Sequence, residues 1–204
     1  MLDSLSAINI LYILITIIIS LSLHEAMHAF VGYKLGDTTA HDMGRVSLNP
    51  LRHIDPLTTV ALPIVTLLLF HAPILAARPV PFNPDRVKFD EFGGALIAAA
   101  GPLTNLVLAV VGALLLRSTT SSVGLSNFLD VFTIVNVAIF TFNMIPIPPL
   151  DGSRVLYAFA PEPVQDVMRQ IEPYGLFIVF GLVLTGVLTP VLVNLNNGIL
   201  NLLP

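Results

Sequence analysis

Four stretches of this chain, residues 7–23, 93–116, 136–150 and 174–204, contain no charged side chain. A helix needs about 20 largely apolar residues to cross the hydrocarbon core of a bilayer, and stretches of this kind meet that need. The rest of the chain agrees. Charged residues are 11% of the 204, against about a quarter in an ordinary soluble domain, and they are concentrated between the apolar stretches. The first stretch is read as a retained helix rather than a secretory signal, because Met1 to Ala7 carries no Lys or Arg and does carry Asp3.

The first helix is expected to start near Ala7 and to stop near Gly32 or Gly36, since glycine commonly follows a helix end. Residues 37–55 are polar, with turn signals at Asn49-Pro50 and Asp55-Pro56. They read as a loop, with room for a short strand pair around Arg45-Val46-Ser47-Leu48. Residues 57–77 are apolar enough to cross but contain Pro63 and Pro73, each of which removes a backbone donor and clashes with the preceding turn. A Pro-rich charged loop, 78–91, leads to helices at 93–116 and 123–147. A polar segment then runs to Pro173, and the last apolar stretch is divided at Pro190.

Charge placement discriminates between two paths for 57–77, because cytoplasmic loops are enriched in Lys and Arg. If the segment crosses, the nine basic residues divide four against five and give no orientation. If it returns to the side it left, Lys34, Arg45, Arg52, Arg78, Arg86, Lys88, Arg154 and Arg169 share one side and only Arg117 lies opposite. A re-entrant segment is therefore expected, with the N-terminus outside and the loops around Asp37 and Asp151 facing the cytoplasm. The expected fold is an all-α polytopic membrane protein with about four transmembrane helices, a re-entrant or broken apolar segment, and a short loop or strand region after the first helix. It is a single domain over 1–204, with a core at about 7–160 and a C-terminal helical segment at 174–204. The absence of a basic cluster argues against a nucleic-acid partner.

The first helix carries His24-Glu25-Ala26-Met27-His28. Residues four apart share a helix face, so the two imidazoles can grip one metal ion, and Glu25 stands where it can deprotonate a metal-bound water. Ionisable groups near a membrane interior are costly and mark function more often than packing. The chain has no cysteine, so a zinc ion must be held by His and carboxylate, and a catalytic zinc takes three protein ligands. In the 20 residues after His28 the only candidates are Asp37, His41 and Asp42, all beyond Gly36. Asp151, the only acid between Val131 and Pro161, is the best remaining carboxylate, and on its own position it suits equally the N-cap of the helix that follows.

These residues resemble the site-2 protease family of intramembrane zinc metalloproteases, in its compact subgroup without PDZ or CBS domains. His24 to His28 looks like the family's zinc-binding motif, Leu150-Asp151-Gly152 like its Leu-Asp-Gly motif, and Gly101-Pro102-Leu103-Thr104-Asn105 like its Gly-Pro-x-x-Asn signature. Arg45 to Pro50, His53-Ile54-Asp55-Pro56 and Arg78 to Pro84 are similar to segments of the compact subgroup. The resemblance implies that His24, His28 and Asp151 hold one Zn2+, that Glu25 is the catalytic base, and that Asn143 contacts the substrate backbone. The partners it implies are transmembrane protein substrates within the lipid bilayer, most simply that of the cell membrane.

Asn105 and Asn136 are also read as residues that bond neighbouring helices, the usual role of Asn in a membrane helix. His53 and Asp55 are explained equally by metal chemistry or by a turn before Pro56, and His41 and His71 are read as non-ligands. The alternative function is a zinc transporter or non-proteolytic zinc membrane protein, which needs the same donors but has no use for Glu25 as a base.

Overall fold

The computed structural model describes residues 7–53, 80–118 and 122–204, and among these it is helical with no strand. Among the described residues eight α-helices follow in order: α1 (Ala7–Lys34), α2 (Thr39–Asp42), α3 (Asp90–Ser118), α4 (Val123–Asn143), α5 (Asp151–Phe159), α6 (Glu162–Ile171), α7 (Gly175–Leu184) and α8 (Thr189–Leu202). Four described helical stretches are long and apolar enough to cross a membrane: α1, α3, α4, and the run Glu162–Leu184 that joins α6 to α7.

The packing is that of a membrane bundle. On α1 the large side chains Ile8, Leu11, Leu14, Ile15, Ile18 and Ile19 face outward. Its buried side is small or polar: Thr16, Ser20, Ser22, His24, Glu25, His28, Ala29 and Gly32. Lipid rewards exposed apolar surface, so helices associate through small residues that allow close approach and through polar residues that bond one another. α3 follows the same rule, burying Gly93, Ala98, Gly101, Asn105, Ala109, Gly112 and Ala113. It packs against α1, α4 and α5, while α8 packs on α4, where Thr141 Oγ1 donates to Asn196 Oδ1 at 2.5 Å.

Helix α1 ends as its glycines require. Gly36 has φ +106°, a conformation that only glycine adopts without strain, and the Asp37 and Gly36 amides bond the Gly32 and Tyr33 carbonyls at 3.0 and 3.2 Å. Asp37, 1% exposed, then accepts bonds from Thr39 N, Thr39 Oγ1 and Asn83 N at 3.0, 2.5 and 2.7 Å. Lys88 N also donates to Leu35 O at 2.9 Å, and the 3-10 turn Pro50–Arg52 packs on α1. Both flanks of 54–79 therefore meet α1 or the residues that end it. The segment itself, 57–77 included, lies outside the described residues, as do Asp55 and His71.

Burial alone would push the Asp37 carboxyl up, but the Thr39 and Asn83 bonds and nearby Arg86 outweigh it and hold the group below the usual carboxylate range. A carboxyl with a depressed folded-state pKa stabilises the protein above its unfolded value of about 3.9 and loses that contribution as pH falls through the folded value. Asp37→Asn is expected to cost about 2 kcal/mol at neutral pH. Its melting temperature in detergent should fall accordingly and lose the acid-side dependence of the unchanged protein.

Three details differ from the sequence expectation. Helix α4 ends at Asn143 rather than near Ile147, because Pro146 disfavours helical backbone in the residue before it and supplies no N–H. Residues 45–48 form a loop in place of a strand, with Ser47 N bonded to Arg45 O at 2.9 Å. The C-terminal apolar run breaks at 185–188, and Pro190 falls in the first turn of α8, where its missing N–H is harmless.

Candidate metal centre

His24 and His28 lie ten and six residues before Lys34 at the end of α1, so the motif sits about 9–15 Å inside that end of the helix. Across from it, α3 presents Gly101. A Cβ built on Gly101 would lie 2.3 Å from His28 Nε2 and 2.6 Å from His24 Nε2, so the imidazoles occupy the space a side chain would fill. Asp151 arrives from a third direction, at the start of α5. Gly152 makes this possible, since a Cβ there would meet the Met144 carbonyl oxygen at 2.3 Å. The N-cap position of α5 is Leu150, with no side-chain cap, so Asp151 is not engaged as a cap.

The result is a three-donor cluster. His24 Nε2 and His28 Nε2 are 3.0 Å apart, and Asp151 Oδ2 lies 3.2 Å from the first and 3.4 Å from the second. Each imidazole is committed through its other nitrogen: His24 Nδ1 to Asn105 Oδ1 at 2.6 Å and His28 Nδ1 to the Ile97 carbonyl at 2.7 Å. Both acceptors lack hydrogen, so both Nδ1 atoms donate and both Nε2 atoms carry lone pairs. Two such lone pairs and a carboxylate oxygen converge at the separation of tetrahedral zinc ligands, about 3.3 Å for bonds of about 2.0–2.1 Å. The donor set fits a divalent cation, which turns mutual repulsion into coordination.

Asn105 is itself held. Its Nδ2 donates to Asn136 Oδ1 at 2.9 Å and to the Ser20 carbonyl at 3.4 Å, and Asn136 Nδ2 donates to Phe132 O at 2.8 Å. Both asparagines are fully buried. The chain of amides runs from α4 through α3 to His24 and fixes both the ring orientation and the tautomer, the task of a partner behind a metal-ligating histidine. Asparagine was legible as a helix-bonding residue, but its attachment to His24 was not, because spacing along α3 does not reveal which face meets α1.

Glu25 is buried, its carboxylate makes no hydrogen bond among the described residues, and it lies within electrostatic reach of His24, His28, Asp151 and His53. Asn143 closes α4, where its amide donates to the Ile139 carbonyl at 2.9 Å. It makes no bond to the cluster or to Glu25 among the described residues. His41 is remote in role: its ring stacks on Tyr33 and its Nδ1 pairs with Asp42 at 3.3 Å.

Residues 115–186, which contain Asn136, Asn143 and Asp151, match the model of a family described as Peptidase family M50. A Bacillus subtilis protein named "Putative zinc metalloprotease YwhC" is 40% identical over 178 residues, covering 83% of this chain and 78% of its own length. The Mycolicibacterium smegmatis protein named "Putative zinc metalloprotease Rip2" is 29% identical over 181 residues, covering 82% of this chain and 64% of its own. A Methanocaldococcus jannaschii protein named "Putative zinc metalloprotease MJ0611" is 38% identical over 90 residues, 44% of this chain and 46% of its own length. No solved structure gives a significant match.

Proposed function

Since this chain belongs to peptidase family M50, we propose that it is an intramembrane zinc metalloendopeptidase, cutting peptide bonds within or near transmembrane segments of other membrane proteins. The observation that carries the reading is the convergence of the His24, His28 and Asp151 donors beside Glu25, well inside a helix apolar enough to span a bilayer.

His24, His28 and Asp151 would hold the ion. When bound there, zinc lowers the pKa of water from about 15.7 toward about 7 and polarises a carbonyl oxygen. Glu25 accepts the proton of the attacking water at its carboxylate and returns it to the leaving nitrogen. Asn105 holds His24 with its Nε2 lone pair inward. Asn143 offers its carboxamide to the substrate backbone. A transmembrane substrate arrives with its peptide groups bonded within its own helix and shielded from water, so it must loosen before it can be cut. An extended conformation beside residues 37–55 supplies new backbone partners, in the manner of strand addition. The charge distribution supports a cytoplasmic orientation for this end of the bundle, in the cell membrane.

Purified protein in liposomes with a single-span substrate should cleave it, stop when a chelator strips zinc, and resume when zinc is returned. Transport of zinc into the liposomes without cleavage would instead establish the transporter. Asn105→Ala is expected to weaken zinc binding 10- to 100-fold, measured by competition with a chromogenic chelator, because His24 loses the acceptor that fixes its tautomer.

A further inference from the structure

His53 follows the 3-10 turn Pro50–Arg52, which packs on α1, and is 4% exposed. Its two ring nitrogens are in opposite situations. Nε2 lies 2.7 Å from the Ser47 carbonyl oxygen, which can only accept, so Nε2 carries the hydrogen and Nδ1 is a bare acceptor. That Nδ1 is buried with no partner among the described residues. Leaving a buried acceptor unpaired is costly, and the cost is tolerated at sites that wait for a donor.

The surrounding loop is built to hold the ring still. Asn49 Oδ1 accepts from Leu51 N at 3.0 Å, His53 N donates to Pro50 O at 2.9 Å, and Ser47 Oγ accepts from Asn49 N at 3.1 Å. The ring also lies within electrostatic reach of Glu25. An acceptor fixed in orientation, unpaired and within electrostatic reach of the catalytic base can be met by one kind of donor, the amide N–H of an extended substrate. Substrate backbone that has left its own helix carries such groups in need of acceptors.

We propose that His53 is a substrate-binding residue, its Nδ1 accepting a backbone N–H of the substrate segment next to Glu25. The inference rests on the protease reading above. It gives the loop after α1 a specific role, with the Ser47 bond fixing the ring and leaving Nδ1 as the acceptor.

Two near-isosteric variants separate this role from simple loop stabilisation. The amide nitrogen of Gln reaches the place of His Nε2, so His53→Gln keeps a donor for Ser47 and removes the acceptor. The carboxamide oxygen of Asn reaches the place of Nδ1, so His53→Asn keeps the acceptor and loses the Ser47 bond. Both should retain one zinc per chain. In the reconstituted cleavage assay, His53→Gln is expected to lower kcat/KM roughly tenfold, mainly through KM, as for loss of one substrate hydrogen bond, while His53→Asn stays within about threefold of the unchanged protein. Normal kcat/KM in His53→Gln overturns the proposal, as does a loss confined to His53→Asn or equal in both variants. Glu25→Gln is run alongside. If it is dead and His53→Gln is normal, only the His53 proposal fails; if the unchanged protein does not cleave at all, the protease reading fails and takes this proposal with it.

Discussion

Glu25→Gln leaves one zinc per chain in place and lowers cleavage of a reconstituted transmembrane substrate by at least about 10³-fold. The size of the loss follows from the role: glutamine has the shape of glutamate but cannot take a proton from the attacking water. The retention of zinc follows from the geometry. The proposed metal donors are His24 Nε2, His28 Nε2 and Asp151 Oδ2, and Glu25 contributes no atom to that cluster. Nor does the Glu25 carboxylate make a hydrogen bond among the described residues whose loss would disturb α1. Metal analysis and cleavage measured on the same preparation check both halves. Loss of zinc in the variant would make Glu25 a ligand, and unchanged cleavage would remove it from the chemistry.

Gly101→Ala should empty the site from a different helix. The added methyl would stand 2.3 Å from His28 Nε2, where real side chains are not found, and the ring cannot simply turn aside while its Nδ1 is bonded to Ile97 O at 2.7 Å. Either that bond breaks or α1 and α3 separate, and in both cases the two Nε2 atoms cease to converge. Zinc content is expected to fall below about a tenth of the normal value, with cleavage falling in parallel. Alanine is the better helix former by about 1 kcal/mol, so weakened helix propensity cannot be the cause. Gly94→Ala is the control on the same helix, because a Cβ there meets nothing within 4 Å. Its zinc content should be unchanged.

Much of this could be read from the sequence because the bilayer simplifies the problem. Uncharged stretches mark α1, α3 and α4, the helices expected at 93–116 and 123–147 fall within about four residues of the observed ends, and the spacing of His24 and His28 places both imidazoles on one face. Asp151 stood out because it is isolated among apolar and proline residues. The parts that stayed hidden depend on how helices rotate against one another. Nothing in the spacing of Gly101 announces that two imidazoles fill its missing side chain, or that Asn105 joins His24 to Asn136. The amphipathic helix α6, and the extent of α5 beyond its start at Asp151, read only as a polar segment. A short helix beside a bundle takes its stability from the surface it meets, which the chain does not spell out locally. His53 was ambiguous for a related reason: its neighbour in sequence, Asp55, suggested a metal pair, whereas in space its bond is to the Ser47 carbonyl.

On this account a zinc site inside the bilayer cuts substrates within the bilayer. Mass spectrometry of the products from a reconstituted single-span substrate tests it most directly. New termini inside or at the border of the substrate's apolar segment, absent from chelator-treated and Glu25→Gln samples, are the predicted result. An intact substrate, or cuts confined to its soluble flanks, would contradict it.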